Sequence, residues 1–442
     1  MGRNGDEEKR GALAAWSPPP DGRPPARGVG LQLCAERMRK IDTRNFQRAT
    51  RSTPRQINRQ IALNLVREHQ PISRADLARR MEVGRGLVTS LINELIAEGS
   101  IYEGATVDAP RGRKPKMLYV RTHDRYVVAI DVRFSRTYVM LSDFAGTALA
   151  LEQFETLVEP CALVEELGQR IERLLRGHGA AASCEGIGLV VPGMVDRHTG
   201  LVLNAPQLGW RNVGVRDLLA KRTGLKVMIE NAPLACALSQ MWLSQRGEGS
   251  GDFVYVTVSD GVGAGVVVNG ELVRGHDDTA GEFGHIPIDP NGPECLCGAR
   301  GCWEVYTSNL ALLRRYLGQA PSPDALRKLL HSSSVTVTDV IARAHGGEAR
   351  AMAAVDETGR YLALGLAMIV NALNPSRIIV GGEITGAWDR IGPMVRAEVE
   401  ARALASPAAH TPIVPEQPES YPRLRGATAL LAARAFAAPR IA

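Results

Sequence analysis

The stretch EFGHIPIDPNGPECLCGARGCWE, residues 282–304, places three cysteines and one histidine in a short segment that also contains several glycines. His285, Cys295, Cys297 and Cys302 supply one imidazole and three thiols, which together make the ligand set of a tetrahedral zinc site. Four protein ligands leave no position for water, so the pattern predicts a structural zinc ion rather than a catalytic one. The alternative is that these cysteines are unconnected residues of a hydrophobic core.

Strand-like and helical segments alternate around this stretch. Short apolar runs that are typical of buried strands begin at Tyr126, Ile187, Phe253 and Ile378, and helical segments lie between some of them. Alternating strands and helices indicate an α/β fold. We therefore expect residues 123–442 to form an α/β domain.

The segment before this domain has a helical pattern. Within residues 54–105, Ser73 is placed to cap the second of three short helices. Leu87, Leu91 and Leu95 mark one face of the third helix. Three short helices with a tight break between the second and third predict a helix-turn-helix.

A basic segment, residues 110–116, follows these helices and lies between two candidate strands. This layout indicates a winged helix-turn-helix, in which a β-hairpin carries a basic tip to the DNA phosphates or the minor groove. We expect this DNA-binding domain to span residues 51–122. The candidate DNA contacts lie on the third helix and in the hairpin: Arg85, Thr89, Ser90, Asn93, Arg111, Arg113 and Lys114. A small helical protein-interaction module is the alternative.

Positive charge is concentrated in the amino-terminal part of the chain. Residues 1–120 contain 22 Lys and Arg against 13 Asp and Glu, a net charge of +9, whereas residues 121–442 contain 31 against 34, a net charge of −3. This asymmetry favours a nucleic-acid-facing region, although a solvated basic surface without a partner has the same signature. Residues 1–50, which are basic and contain proline-rich stretches, are predicted to form a disordered tail.

The composition excludes several classes of protein. Hydrophobic residues make up 45% and charged residues 23% of the 442 residues, which excludes a wholly disordered or collagen-like chain. No stretch approaches the roughly 18 uncharged apolar residues of a membrane span, and the amino-terminal region lacks the apolar core of a signal peptide. Seven cysteines, three of them clustered, do not indicate a disulfide framework. We therefore predict a cytoplasmic protein without a membrane partner.

Three motifs resemble the signatures of the ROK family (repressors, open reading frames, kinases). They are Glu282-Phe-Gly-His285, Cys295-x-Cys-Gly-x-x-Gly-Cys302-x-Glu304 and Asp260-Gly-Val-Gly-Ala-Gly265. Together with the amino-terminal helices, the chain is similar to the family's sugar-responsive repressors, such as those for xylose and N-acetylglucosamine. The resemblance implies a two-lobed, actin-like α/β domain that binds a sugar between its lobes and assembles as a dimer or tetramer.

The resemblance also implies a set of sugar-binding residues. Their carboxylates and amides would exchange hydrogen bonds with sugar hydroxyls, and the histidine would serve both the zinc ion and the sugar. The residues are Asn204, Asn231, Glu282, His285 and Glu304. Alternatively, the two glutamates lie behind the site or on the surface, and the two asparagines bond their own backbone in turns.

Three departures from the family's kinase pattern argue against phosphoryl transfer. The kinases have Asn-Asp at the catalytic point, where this chain has Asn231-Ala232, and a methyl group cannot accept a proton. In the first phosphate loop, Arg133 and Phe134 replace glycines that would let the backbone approach a phosphate. In the second loop, Asp260 places a negative charge beside an anion.

These features predict a DNA-binding transcriptional regulator, of the repressor type, for genes of sugar uptake or catabolism. The expected partners are a double-stranded DNA operator, a small sugar effector and further copies of the chain in a homodimer or homotetramer. Structural Zn²⁺ is the expected cofactor, and no enzymatic activity is expected. A second hypothesis is a sugar kinase of the same family with an added DNA-binding domain, and a third is a constitutive DNA binder without a ligand.

Overall fold

Three helices and a small sheet make up the amino-terminal part of the chain, which we call the amino-terminal module. The computed structural model describes residues 52–106, 115–243, 251–319 and 335–437. The strands form an antiparallel sheet in the order β1-β3-β2. The elements are α1 (Thr53–His69), β1 (Ile72–Ser73), α2 (Arg74–Met81), α3 (Arg85–Ala97), β2 (Ile101–Thr106) and β3 (Lys116–Val120). The predicted tail and Arg111, Arg113 and Lys114 of the predicted hairpin lie outside the described residues.

Local signals define the ends of these helices. The Ser73 hydroxyl accepts a hydrogen bond from the backbone N–H of Asp76 at 3.1 Å, so the predicted cap of α2 is confirmed. Glu82 at the end of α2 and Gly99 just after α3 adopt the left-handed backbone conformation, with φ of 54° and 72°. This conformation stops a helix and redirects the chain. The short break between α2 and α3 follows from it.

A five-stranded sheet forms the centre of the first lobe. Its strands are β4 (Tyr126–Val132), β5 (Arg136–Asp143), β6 (Ala148–Glu155), β7 (Cys184–Val191) and β11 (Val227–Asn231), in the order β11-β7-β4-β5-β6. Helices α4 (Pro160–Gly177) and α5 (Val215–Thr223) cover one face of this sheet. A small sheet of β8 (Met194–Asp196), β9 (Leu201–Ala205) and β10 (Trp210–Val213) follows β7. Helix α6 (Ala232–Leu243) continues directly from β11.

A second five-stranded sheet forms the centre of the second lobe. Its strands are β12 (Phe253–Val258), β13 (Val262–Val268), β14 (Glu271–Leu272), β15 (Arg377–Gly381) and β16 (Ile413–Pro415), in the order β14-β13-β12-β15-β16. Its helices are α7 (Glu304–Thr307), α8 (Asn309–Leu317), α9 (Val337–His345), α10 (Ala349–Leu373), α11 (Trp388–Arg402) and α12 (Ser406–Ala409). The buried indole of Trp303 donates to the carbonyl of Tyr361 at 2.8 Å, which fixes the segment before α7 onto α10.

Helix α13 (Pro422–Phe436) packs against α6 and against the face of the first sheet that α4 and α5 leave open. A Cβ added to Gly426 would lie 2.2 Å from the carbonyl oxygen of Ala235 on α6. A Cβ added to Gly188 on β7 would lie 1.9 Å from the carbonyl oxygen of Ala427. Side chains at these positions would force α13 outward, so both glycines permit the close packing. As a result α6, α13 and the first sheet form one packed block.

The predicted α/β architecture of the region after the amino-terminal module is confirmed. Both sheets mix parallel and antiparallel pairs, and helices pack on their faces. Within the described ranges, no helix combines the length and the apolar character that crossing a membrane requires.

Candidate functional site

A cavity of about 120 Å³ opens between the two lobes. The first lobe contributes the turn between β9 and β10 and the start of α6, and the second lobe contributes the β12–β13 turn and the segment 280–285. Four of the five predicted sugar-binding residues line this cavity. They are Asn231, Glu282, His285 and Glu304.

Carboxylate and amide side chains contribute to the polar wall of this cavity. Glu304, at the start of α7, accepts a hydrogen bond from the backbone N–H of Val262 at 2.9 Å. A Cβ added to Gly261 would lie 2.7 Å from Glu304 Oε2 and 3.2 Å from Gln207 Nε2, so this glycine leaves room for both side chains. Burial raises the pKa of Glu304 and of Glu282, and the negative charge of Glu304 raises that of Glu282 further. Gln207 was missed from the sequence, because no motif singles it out.

Asn231 has both a structural role and a place in the cavity wall. Its Oδ1 accepts the backbone N–H of Leu234 at 3.1 Å, so Asn231 caps α6. The sequence analysis offered, as an alternative, that Asn231 bonds to the nearby backbone. The side-chain oxygen of Asn231 does so. Within the described residues, Nδ2 of Asn231 has no hydrogen-bond partner, and the side chain lines the cavity. The following residue, Ala232, also lines the cavity and presents only a methyl group.

Asn204 is not brought to the cavity. It lies on β9, opposite Met194 and Arg211 of the neighbouring strands. The following residues of the same segment, Ala205, Pro206 and Gln207, line the cavity. The family resemblance thus pointed to a segment that reaches the cavity, through residues next to Asn204.

The four predicted metal ligands form one cluster beside the cavity. The ligand atoms of His285, Cys295, Cys297 and Cys302 all lie within 4.8 Å of one another. Cys297 Sγ lies 3.7 Å from Cys302 Sγ, and Cys295 Sγ lies 3.8 Å from His285 Nδ1. A tetrahedral zinc ion with Zn–S bonds of about 2.3 Å requires S···S separations of about 3.8 Å. The geometry of the cluster therefore fits zinc.

A network of charged side chains, most of them largely buried, lies beside the cavity. Arg133, after β4, donates to Asp131 at 2.7 Å and to Glu383 of the second lobe at 3.0 Å. Arg423, at the start of α13, lies 2.9 Å from the other oxygen of Asp131. Burial and the negative charge of Glu383 raise the pKa of Asp260 to about 6. The sequence pointed to Arg133 and Asp260, but not to Glu383 or Arg423, which are distant along the chain.

The two guanidinium groups lie where the cavity between the lobes meets a second cavity. Arg133 and Arg423 line both cavities. The second cavity is further lined by aromatic side chains and by the turn after β15. Its remaining lining residues are Tyr138, Cys236, Tyr255, Thr257, Ser259, Gly381, Gly382, Glu383, Tyr421 and Pro422. The two cavities therefore adjoin each other at Arg133 and Arg423, whose charges are paired with Asp131 and Glu383.

The predicted DNA contacts within the described residues lie on α3. Arg85, Thr89 and Asn93 are exposed, and Ser90 is half-buried. The buried residues of α3, by contrast, face the core of the module; they are Val88, Leu91, Ile92 and Leu95. The structure thus separates a polar outward face from an apolar inward face, as the spacing predicted.

Comparison with known proteins gives relatives of two kinds. The xylose repressor of Bacillus spizizenii is 29% identical over 353 residues, which cover 79% of this chain and 88% of the repressor. The structure of a ROK family transcriptional regulator, a homologue of the Escherichia coli MLC protein, matches with a TM-score of 0.70 at 25% identity, covering 86% of this chain and 97% of that one. The structure of a ROK family glucokinase from Streptomyces griseus, in complex with glucose and AMPPNP, matches with a TM-score of 0.59 at 27% identity, covering 69% and 98%.

The match to the family itself spans both lobes. The ROK family model covers residues 127–434, which contain the polar cavity, the cysteine cluster and helices α6 and α13. The resemblance of the three sequence motifs is therefore confirmed, and the chain belongs to the ROK family.

Proposed function

We propose that the chain is a DNA-binding transcriptional regulator, of the repressor type, whose effector is a sugar bound between its lobes. The observation that carries this proposal is that α6 and α13 each run from the cavity to the amino-terminal module. Ala232 and Arg423, at the starts of these helices, line the cavity. Trp242 and Phe436, at their ends, contact α1 of the amino-terminal module. The xylose repressor and the regulator structure support the same class of function.

The contact between α1 and the two helix ends is both polar and aromatic. The guanidinium carbon of Arg67 lies 4.8 Å from the ring centre of Trp242 and 4.9 Å from that of Phe436. Its Nη1 donates to the carbonyl of Trp242 at 3.3 Å. Asn64 donates to the carbonyl of Phe436 at 2.8 Å. A shift of α6 or α13 at the cavity would therefore move the amino-terminal module without an intervening flexible segment.

We infer that the amino-terminal module is a winged helix-turn-helix over residues 51–122, followed by a sugar-binding domain over residues 123–442. The break between α2 and α3, the β2–β3 pair and the exposed polar face of α3 support this assignment. The net charge of +9 over residues 1–120 would attract DNA phosphates. Assembly as a homodimer or homotetramer would place two modules on two half-sites of an operator.

The mixture of groups in the cavity suits a neutral polyol. Sugar hydroxyls both donate and accept hydrogen bonds, and the wall offers the carboxylates of Glu282 and Glu304 as acceptors. The amide nitrogens of Asn231 and Gln207 can donate. The glucokinase structure with bound glucose supports a sugar as the ligand class of this fold.

A sugar kinase is the second candidate, favoured by the glucokinase relative. Three features oppose it. Ala232 offers no base for a sugar hydroxyl. Arg133 and Arg423, which could otherwise stabilise a phosphoryl group, are already paired with Asp131 and Glu383. Asp260 adds a carboxylate to the same region. We therefore propose that this chain binds sugar without phosphorylating it.

Zinc bound to His285, Cys295, Cys297 and Cys302 would hold the segment 282–304 in place. Glu282 and Glu304 stand at the two ends of this segment, so the metal would fix the two carboxylates relative to each other. Because metal ligation contributes folding free energy, Cys302→Ser should lose the metal and lower the melting temperature. Cys184→Ser, at a lone half-buried cysteine, is the control. Metal analysis of the purified variants checks this, and equal zinc content in both would contradict the assignment.

The functional proposal is tested by measuring operator affinity with and without sugar. DNA fragments selected from a random library by the purified chain would be titrated at fixed salt, because protein–DNA affinity depends steeply on salt. Xylose, glucose and N-acetylglucosamine would be added in turn. We expect at least one sugar to change the operator affinity by roughly 5- to 150-fold. DNA binding that no sugar alters would indicate a constitutive binder, and sugar-dependent consumption of ATP would indicate a kinase.

A further inference from the structure

Arginines from α1 and α2 hold two polar side chains on the outward side of α3. Arg74, the first residue of α2, donates from both Nη1 and Nη2 to Oδ1 of Asn93, each at 3.0 Å. Arg55, on α1, donates to the hydroxyl of Ser90 at 2.7 Å. Part of the hydrogen-bonding capacity of α3 is therefore used within the protein before DNA is present.

The Arg74 side chain is itself held in place by an ion pair with Glu103 of β2. Its Nε and Nη2 donate to Oε1 of Glu103 on β2 at 3.2 and 2.8 Å, and Lys116 donates to the second oxygen of the same carboxylate at 3.0 Å. The hydrogen bond from Lys116, followed by that from Arg74, lowers the pKa of Glu103. The Arg74 side chain is only 27% exposed. Arg74 is thus anchored within the module and does not extend into solvent.

This arrangement fixes what Asn93 can offer to a base. A side-chain carbonyl oxygen has two lone pairs, and Arg74 supplies two N–H donors to the oxygen of Asn93. The two N–H donors of Asn93 Nδ2 remain, on a residue that is exposed on α3. Asn93 therefore faces the solvent as a group that donates but does not accept.

Adenine, guanine and cytosine respond differently to such a group. An asparagine pairs with adenine by accepting from N6 and donating to N7, which requires its oxygen to be free. Guanine presents two acceptors, O6 and N7, in the major groove, and these match two donors. Cytosine presents only a donor there. A donor-only Asn93 consequently favours guanine over adenine.

We propose that Arg74 determines base specificity by acting through Asn93, so that Asn93 reads guanine rather than adenine. This inference rests on the proposed DNA-binding function. Arg74 is a positioning residue in this scheme, and Asn93 is the residue that touches the base. Arg74→Met removes the donors but keeps the aliphatic stem, and therefore frees the oxygen of Asn93 with little change in packing.

The test is a binding selection from a random DNA library, carried out on the full chain and on four variants. Asn93→Ala identifies the base position that Asn93 reads, because the preference there disappears. At that position we expect the unmodified chain to prefer guanine to adenine by roughly tenfold. Arg74→Met should shift the preference towards adenine by a similar factor, and Arg74→Lys, with one point-like donor group, should fall between the two. Arg80→Met, at an exposed arginine of the same helix, controls for loss of charge.

Two results would overturn the inference while leaving the DNA-binding function intact. One is that Arg74→Met weakens binding to all sequences equally and reduces the salt dependence, as Arg80→Met is expected to do, which would make Arg74 a phosphate contact. The other is that Asn93→Ala changes no base preference. If the unmodified chain binds no DNA at all, the inference and the proposed function fail together. Circular dichroism of each variant establishes that the module is folded.

Discussion

Asp260 lies on the wall of the sugar cavity, close to two carboxylates and two guanidinium groups. Burial and Glu383 raise the pKa of Asp260, Asp131 raises it further, and Arg423 and Arg133 lower it, with a result of about 6. The folded protein therefore keeps this carboxyl protonated up to about pH 6, whereas the unfolded chain releases the proton near pH 4. The free energy of unfolding consequently falls as the pH rises between these values and then stays constant.

This fall of the free energy of unfolding with rising pH gives a prediction for Asp260→Asn, because an asparagine side chain cannot ionise. The substitution should raise the free energy of unfolding by about 3 kcal/mol above pH 6, and the gain should shrink as the pH falls towards 4. Urea unfolding followed between pH 4 and pH 8 measures this. Asp277→Asn, at an exposed aspartate, is the control and should show no such pH dependence. Parallel pH profiles for the two variants would contradict the prediction.

At the scale of single residues, the sequence identified side chains whose type and spacing form a motif. Glu282, His285 and Glu304 were predicted together and line one cavity. Gln207 and Glu383 were not predicted, because only the folded chain brings them beside the others. Asn204 was assigned to the cavity by its segment, but it is the next residues, Ala205 to Gln207, that line the cavity.

At the scale of helices and strands, Arg67 is the side chain through which α1 touches both α6 and α13. Arg67→Leu keeps an apolar side chain but removes the hydrogen bond to Trp242 and the positive charge between the two rings. We expect operator affinity and sugar affinity, measured separately, to change less than about threefold. The effect of sugar on operator affinity should fall several-fold, because α1 loses its hydrogen bond to Trp242 of α6 and keeps the bonds of Gln60 and Asn64 to the end of α13.

The control for this prediction is Arg59→Leu, on the same helix. Arg59 forms its ion pair with Glu98 inside the amino-terminal module and not with α6 or α13. It should therefore leave the sugar effect intact. Fluorescence anisotropy of a labelled operator, with and without sugar, compares the two variants. A sugar effect of equal size in both would exclude Arg67 from the coupling.

The elements themselves were largely predictable where apolar periodicity and end signals agree. Ser73, the repeat of Leu87, Leu91 and Leu95, and Gly99 marked the helices of the module. The packing of α13 onto α6 was not predictable, because the reason for it is a close approach at Gly426. A single glycine in a sequence does not reveal which backbone will lie against it.

At the scale of the whole molecule, ion pairs between described residues join the two lobes. Arg133 contacts Glu383 on one side, while on the other Arg274 contacts Glu230 at 2.7 Å and Arg197 contacts Asp278 at 3.2 Å. A sugar that changed the lobe arrangement would have to rearrange such pairs. The two-lobed architecture followed from the family motifs, but these pairs did not, since each joins residues from separate lobes.

The linkage between sugar and operator must hold in both directions. If a sugar changes operator affinity by some factor, the operator must change the affinity for that sugar by the same factor. Calorimetric titration of sugar into the chain, with and without a saturating operator fragment, measures the second factor. Unequal factors would show that the two titrations do not report on the same pair of states.

The contact of Asn64 and Arg67 with Phe436 and Trp242 also has a consequence for biosynthesis. The ribosome completes the amino-terminal module some 300 residues before it reaches α13. Because chains begin to fold as they emerge, the helices of the module can pack together early, but the hydrophobic cluster around Val66 and Leu95 is complete only when Leu430 and Phe436 of α13 join it. Under the proposed function, sugar and operator can therefore be coupled only after α13 has been synthesised and has packed onto α1.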